Sequence, residues 1–382
     1  MIDSLRNLTD RLVLVDAGSF TGVQAGTFEE RAVFLAEMMR TMGYDATTLG
    51  DGEIRLSADV LREMLPGTLP LVSANLEDRK TGRLFLPATR VVEKRGVRVG
   101  ITAVTRVTDA MAPAWEDAGL RARPVEEALR AVLPDLRRRA DVIVLLARMS
   151  VAESKELIEA IGGGVDVVVA GDVRDGRGRT LAENTGAVFV SAANRGRSVG
   201  LAELVLGPDH RSAGAIADEI VLHRSVPENP DVLAIVDEFQ SNLNAAMRDR
   251  TVLQTTRRSS DGEYYLGAQN CAQCHAREYE IWTETPHSTA FRTLEERDKE
   301  FLPECYACHV TGHGDRAGYD PTIRGAADLV NVQCEVCHGK GSTHSRDGSY
   351  GRELLMQACS RCHDADNSPD WDAEVYWRMI EH

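Results

Sequence analysis

The sequence predicts two domains of different build. An α/β layered domain spans residues 1–225, a cysteine-rich, loop-rich domain spans 256–382, and a linker helix lies across 226–255. Three observations carry this. The 382 residues exceed one average domain. Short apolar, β-rich runs alternate with helical patterns only in the first part of the chain. All eight cysteines fall between Cys271 and Cys362, with none in the first 270 residues.

In the first domain the runs RLVLVDAG, LPLVSANL, VRVGITAV, ADVIVLLA, VDVVVAGD and GAVFVSAA suit buried strands. The segments FEERAVFLAEMMRTMG, VEEALRAVLPDLRRR and SVAESKELIEAIGGG carry helical spacing between them. The glycine after MMRTM and the glycine run after LIEAI mark helix ends. Pro227 and Pro230 then punctuate the chain before an amphipathic helix that runs to about residue 250. Beyond it strand periodicity stops. Residues 261–382 hold 22 acidic against 11 basic side chains, so most of the overall charge of −15 sits here. Their apolar runs are short, and side chains alone do not supply a core.

Charge and hydropathy exclude two classes. A strongly acidic chain lacks the basic face of a nucleic-acid binder. No run approaches the roughly 20 apolar residues of a transmembrane helix. The segment MIDSLRNLTDRLVLVDAG has neither the basic start nor the apolar stretch of a signal peptide.

The cysteines form four identical frames: CAQCH at 271–275, CYACH at 305–309, CEVCH at 334–338 and CSRCH at 359–363. Paired zinc knuckles use Cys-x-x-Cys but need no histidine directly after each pair. A disulfide scaffold predicts no such histidine at all. Cys-x-x-Cys-His is the attachment frame of c-type haem, with both thiols bound to one porphyrin and the next imidazole on its iron. The sequence therefore predicts four covalently bound c-type haems. Cys271 and Cys274, Cys305 and Cys308, Cys334 and Cys337, and Cys359 and Cys362 anchor them. The proximal ligands are His275, His309, His338 and His363. A second histidine on an iron closes it for electron transfer, and an open position admits substrate. The remaining histidines of this region, His287, His313, His344 and His382, equal the haems in number. His210 and His223 fit surface roles on the first domain, and Met356 fits core filling better than ligation.

The pieces YYLGAQNCAQCHAREYEIWTETPHSTAF, CYACHVTG, VQCEVCHGKGSTH and WRMIEH resemble the tetrahaem cytochrome c-554 family over about 120 residues. The resemblance implies a mostly α, loop-rich fold around stacked haem pairs. It also implies distal ligands: His344 for the first haem, His287 for the third and His382 for the fourth. The second haem of this family can lack a distal ligand. His313, four residues after His309, is either that ligand or a loop histidine beside a propionate.

The runs LVLVDAGSFTG, FLAEMMRTMGYDATTLGDGEI, LPLVSANLED, DVIVLLARMS and VDVVVAGDVRD resemble the 5′-nucleotidase branch of the calcineurin-like metallophosphoesterases. That class needs two metals held by Asp, His and Asn. At the matching positions this chain has Ser19 for an Asp, Asp51-Gly52-Glu53 for Asn-His-Glu, and Arg148 for a His. Gly-His-x-His is replaced by Gly171, Asp172, Val173 and Arg174. Arginines there repel metal ions and can pair with Asp51 and Asp172. The resemblance thus implies a degenerate phosphoesterase fold, kept as scaffold or docking surface. The family's first strand is missing from the given chain, and a leader and that strand are expected upstream of Met1.

These features predict an extracytoplasmic carrier, periplasmic or at the cell surface, because thioether attachment of haem takes place outside the cytoplasm. An acidic haem domain calls for redox partners with a basic docking face, and assembly into an oligomer or longer haem wire fits the same build. Two rival functions stay open: a haem oxidoreductase acting on a small nitrogen or sulfur compound at an open second haem, and an active metallophosphoesterase.

Overall fold

The computed structural model describes residues 1–21, 28–172, 181–182, 186–192, 196–223, 225–250, 262–322, 326–347, 358–364, 367–368 and 370–382. The chain divides into two compact units, Met1–Glu228 and Asn229–His382.

The strands of the first unit are β1 (Leu76–Asp78), β2 (Thr89–Lys94), β3 (Val97–Thr105), β4 (Leu120–Ala122), β5 (Val142–Arg148), β6 (Val167–Ala170), β7 (Leu181–Ala182), β8 (Val188–Val190), β9 (Ser198–Leu206) and β10 (Ser212–Val221). Six form one sheet in the order β2-β3-β5-β6-β8-β7. Its centre is parallel and both edge strands are antiparallel. Parallel neighbours need crossovers, and helices Val125–Arg139 and Val151–Ile161 lie in two of these connections.

Strand β5 reads VIVLLAR and is buried along six of its seven residues, as a strand covered on both faces must be. Ile143 and Leu145 pack with Leu129, Leu133, Leu136, Leu157 and Ile158 of the two helices. Val142, Val144 and Leu146 pack with Leu204, Ala215 and Ala217 of the β9–β10 hairpin. The split follows the two-residue period of a strand. Helix Val151–Ile161 opens on a capping box. Ser150 Oγ accepts from Glu153 N at 3.2 Å, and Glu153 Oε2 accepts from Ser150 N at 2.9 Å. The helix stops at Gly162, whose φ of 81° suits glycine.

Two predicted strands turn out shorter. RLVLVDAG makes one bridge, Val15 to Ala46, and LPLVSANL makes one, Leu71 to Thr47, before β1 begins at Leu76. Both runs still bury apolar residues, Ala17 and Val72, beneath the sheet. Their apolar pattern reports that burial rather than a long ladder.

The second unit is helices and loops among its described residues, with one isolated bridge between Val310 and Val330. It opens with helix Pro230–Arg250, and the later helices are eight residues or shorter. Asn244 fastens the long helix, accepting from Phe301 N at 2.7 Å and donating to Glu300 Oε2 at 3.2 Å. The apolar cluster is small: Phe291, Leu294, Tyr306, Val310, Tyr319 and Leu329.

Candidate functional site

Each Cys-x-x-Cys-His frame folds as a single turn. Cys271 ends helix Ala268–Cys271, and His275 N donates to Cys271 O at 2.9 Å. In the second frame His309 N donates to Tyr306 O at 2.9 Å. The third frame is itself a helix, Cys334–His338, stopped by Gly339 at φ 78°. In the fourth, His363 N donates to Cys359 O at 2.8 Å. Helical spacing brings residues i, i+3 and i+4 to one side. Two thiols and one imidazole then face the same way, as attachment to one flat macrocycle requires.

Thiols from different frames are neighbours. Cys271 shares a hydrogen bond with Cys334, and Cys308 shares one with Cys362. The Cys334 contact and then burial push the Cys271 thiol up, and Cys308 and burial do the same to Cys362. Burial also raises Cys337, with Cys359 adding to it. Frames one and three thus meet, as do frames two and four.

The imidazoles form three cross-frame pairs. His275 and His344 have ring centroids 6.1 Å apart, His287 and His363 6.1 Å, and His338 and His382 5.8 Å. Two imidazoles sharing one metal, with bonds of about 2 Å each, would put their centroids roughly 6 Å apart. Burial, with the facing imidazoles adding to it, holds His287 and His338 below the usual histidine range. Burial alone does so for His363. Neutral rings keep the lone pair that ligation needs. Ring nitrogens also have outer partners: His363 Nδ1 with Ser368 Oγ at 3.1 Å and His382 Nδ1 with Ile380 O at 2.9 Å. Such partners orient a ligating ring. This donor set fits covalently attached haem.

The pairing corrects two expectations. His287 lies against the fourth frame rather than the third, and His382 against the third rather than the fourth. Distal partners come from tertiary proximity, which motif spacing does not encode. The second frame stands apart. His309 Nδ1 lies 2.6 Å from Ala290 O and 3.4 Å from Thr293 Oγ1, and no second imidazole pairs with its ring among the described residues. His313 instead sits edge-on to Tyr306 at 5.2 Å and 79°. Met356 lies outside the described residues.

One residue escaped the sequence reading. Glu335, a spacer residue of the third frame, is 4% exposed. Its carboxylate accepts from Leu266 N at 2.9 and 3.0 Å, Gly267 N at 2.9 Å and Gly341 N at 2.7 Å. Gln333 Oε1 takes Ala268 N at 2.5 Å and Ser342 Oγ takes Tyr264 N at 3.1 Å. Side chains around the third frame therefore clasp the segment leading into the first. An acid between the two cysteines of the frame was the only sequence signal.

In the first unit, the positions that match phosphoesterase ligands are occupied by a different network. Glu53 is fully buried and accepts from Gly50 N at 2.7 Å, Ser19 N at 2.9 Å, Thr21 N at 3.0 Å and Thr21 Oγ1 at 2.9 Å. Arg148, at the end of β5, donates to Gly171 O and meets Asp51 Oδ2 at 3.4 Å. Val173 and Arg174 lie outside the described residues. Among the described residues no group of three or more His, Cys, Asp or Glu side chains is arranged to hold a metal ion.

Asp16 stands beside this network, accepting from Gly18 N at 2.8 Å and Thr47 Oγ1 at 3.3 Å. Burial, with Glu53 adding to it, pushes its carboxyl up to about 6. The folded state thus holds a proton that the unfolded state releases between the ordinary value of 3.8 and about 6. Stability should fall as pH rises through that window and stay lowered above it. Asp16→Asn should flatten this dependence and gain on the order of 2 kcal/mol at neutral pH. Urea unfolding followed by circular dichroism across the window checks it, and an unchanged pH slope would count against this role for Asp16.

Comparison with known proteins agrees with both halves. The family described as "Cytochrome c554 and c-prime" matches residues 270–339, which hold the first three frames. Cytochrome c-554 of Nitrosomonas europaea is 32% identical over 99 residues, covering 22% of this chain and 41% of that protein. A 5′-nucleotidase precursor from Thermus thermophilus superposes with a TM-score of 0.53 at 19% identity, over 68% of this chain and 54% of that one. The calcineurin-like phosphoesterase YfkN from Bacillus subtilis gives 0.52 at 18% identity, over 63% and 86%. The chain spans less than half the length of the curated relatives it matches. It joins an N-terminal domain of phosphoesterase-like fold to a C-terminal cytochrome c554-like domain.

Proposed function

We propose that the chain is an extracytoplasmic tetrahaem electron carrier whose phosphoesterase-like domain serves as scaffold or docking surface. The observation that carries this is the set of three imidazole pairs, each joining a Cys-x-x-Cys-His frame to a histidine far away in sequence at the separation one metal spans. Haem iron, when bound, supplies the one-electron chemistry. The cysteines fix each group at two points. His275 with His344, His338 with His382 and His363 with His287 would close three irons, favouring electron transfer over substrate binding. The acidic surface of residues 261–382 draws in a partner with a basic face. No helix among the described residues is long and apolar enough to cross a membrane.

The His309 frame supports a second reading. Its ring has outer partners and no facing imidazole among the described residues, so an iron held there would offer a position to a small nitrogen or sulfur compound. Retained phosphoesterase activity is the weakest reading. Arg148 places a cation where a metal ligand would stand, and it meets Asp51, which takes the place of another.

Paramagnetic resonance of the purified holoprotein should show low-spin signals from the first, third and fourth frames and a high-spin signal from the iron of the second frame that responds to cyanide or nitric oxide. His313→Ala should leave the high-spin fraction unchanged, because that ring packs on Tyr306. Purely low-spin signals would end the open-site reading. Electron transfer to a basic redox protein should slow as salt is added; a rate indifferent to ionic strength would remove the docking claim.

A further inference from the structure

We infer that Glu335 sets the reduction potentials of the haems at the first and third frames below that of the fourth, and so gives the relay a direction. This rests on the tetrahaem reading above. The first, third and fourth frames offer the same axial donors, two imidazoles each. Axial identity therefore does not rank them, and local charge and burial do.

Glu335 is the buried charge on one side of this ranking. It directly follows Cys334, and through Leu266 N and Gly267 N it grips the turn that leads into Cys271. Its field reaches the sulfurs of both Cys271 and Cys334. The groups that bind it are neutral backbone N–H donors, which hold a carboxylate in place without cancelling its charge. At 4% exposure, solvent screens it little. An electron added beside a fixed negative charge costs more, so the two nearby haems become harder to reduce. Among the described residues of the second unit no other carboxylate is buried, and Arg361 of the fourth frame is exposed, its charge reaching Cys337 of the third frame as well as Cys362. Glu335 thus biases an electron to leave the haems of frames one and three for that of frame four. Cys308 of the second frame, the one with the open iron, meets Cys362 of the fourth.

The test is a redox titration of the intact holoprotein, with individual haems assigned by nuclear magnetic resonance through contacts to Cys271, Cys334 and Cys362. In the unmodified protein the first and third haems should titrate below the fourth. Glu335→Gln should raise the first and third and leave the fourth in place, while Glu335→Asp, which keeps the charge, should stay near the unmodified values. Unshifted potentials in Glu335→Gln, or equal shifts in both variants, would overturn the assignment. If Glu335→Gln fails to assemble, the order in the unmodified protein decides: a fourth haem at the lowest potential overturns it. A haem count separates the two levels. Fewer than four haems sinks the tetrahaem reading, whereas four haems with unshifted potentials sinks only the role of Glu335.

Discussion

The second unit is organised around histidines that meet across long stretches of sequence. Among the described residues its buried apolar cluster is six residues, and its helices after Arg250 are too short to stand alone. Closing long loops costs entropy that so small a cluster does not offset. The pairs His275–His344, His338–His382 and His287–His363 each draw two distant segments to the distance one metal would bridge. Binding free energy of a metal centre is then also folding free energy. The same pairs that would pass electrons also specify the fold. The Glu335 clasp and the neighbouring thiols add a second layer, pressing frame one onto frame three and frame two onto frame four.

The first unit obeys the opposite logic. Its sheet is filled on both faces by ordinary side chains, with β5 buried along most of its length. The edge that resembles a phosphoesterase site is stitched by an ion pair and a saturated carboxylate instead.

Much of this was legible in the sequence. The continuous apolar run in VIVLLAR and the glycine stop after LIEAI gave β5 and the helix Val151–Ile161 nearly to the residue. The grouping inside each frame was legible because it is local, two thiols and an imidazole within one turn. The distal partners were not local. His287 and His382 pair with frames that only the folded chain brings near, so resemblance assigned them crosswise. The β9–β10 hairpin was missed because its strands, SVGLAELVL and SAGAIADEIV, interleave apolar residues with glycine, serine and acidic ones. Glu335 was invisible because a glutamate between two cysteines reads as a surface spacer until its burial is known.

The most direct measurement of the central claim is the mass of the denatured holoprotein chain, which counts only covalently attached groups. Four haem additions per chain are predicted, falling to three when both cysteines of any one frame are replaced by alanine. A chain at its bare polypeptide mass, with zinc recovered instead, would contradict the account.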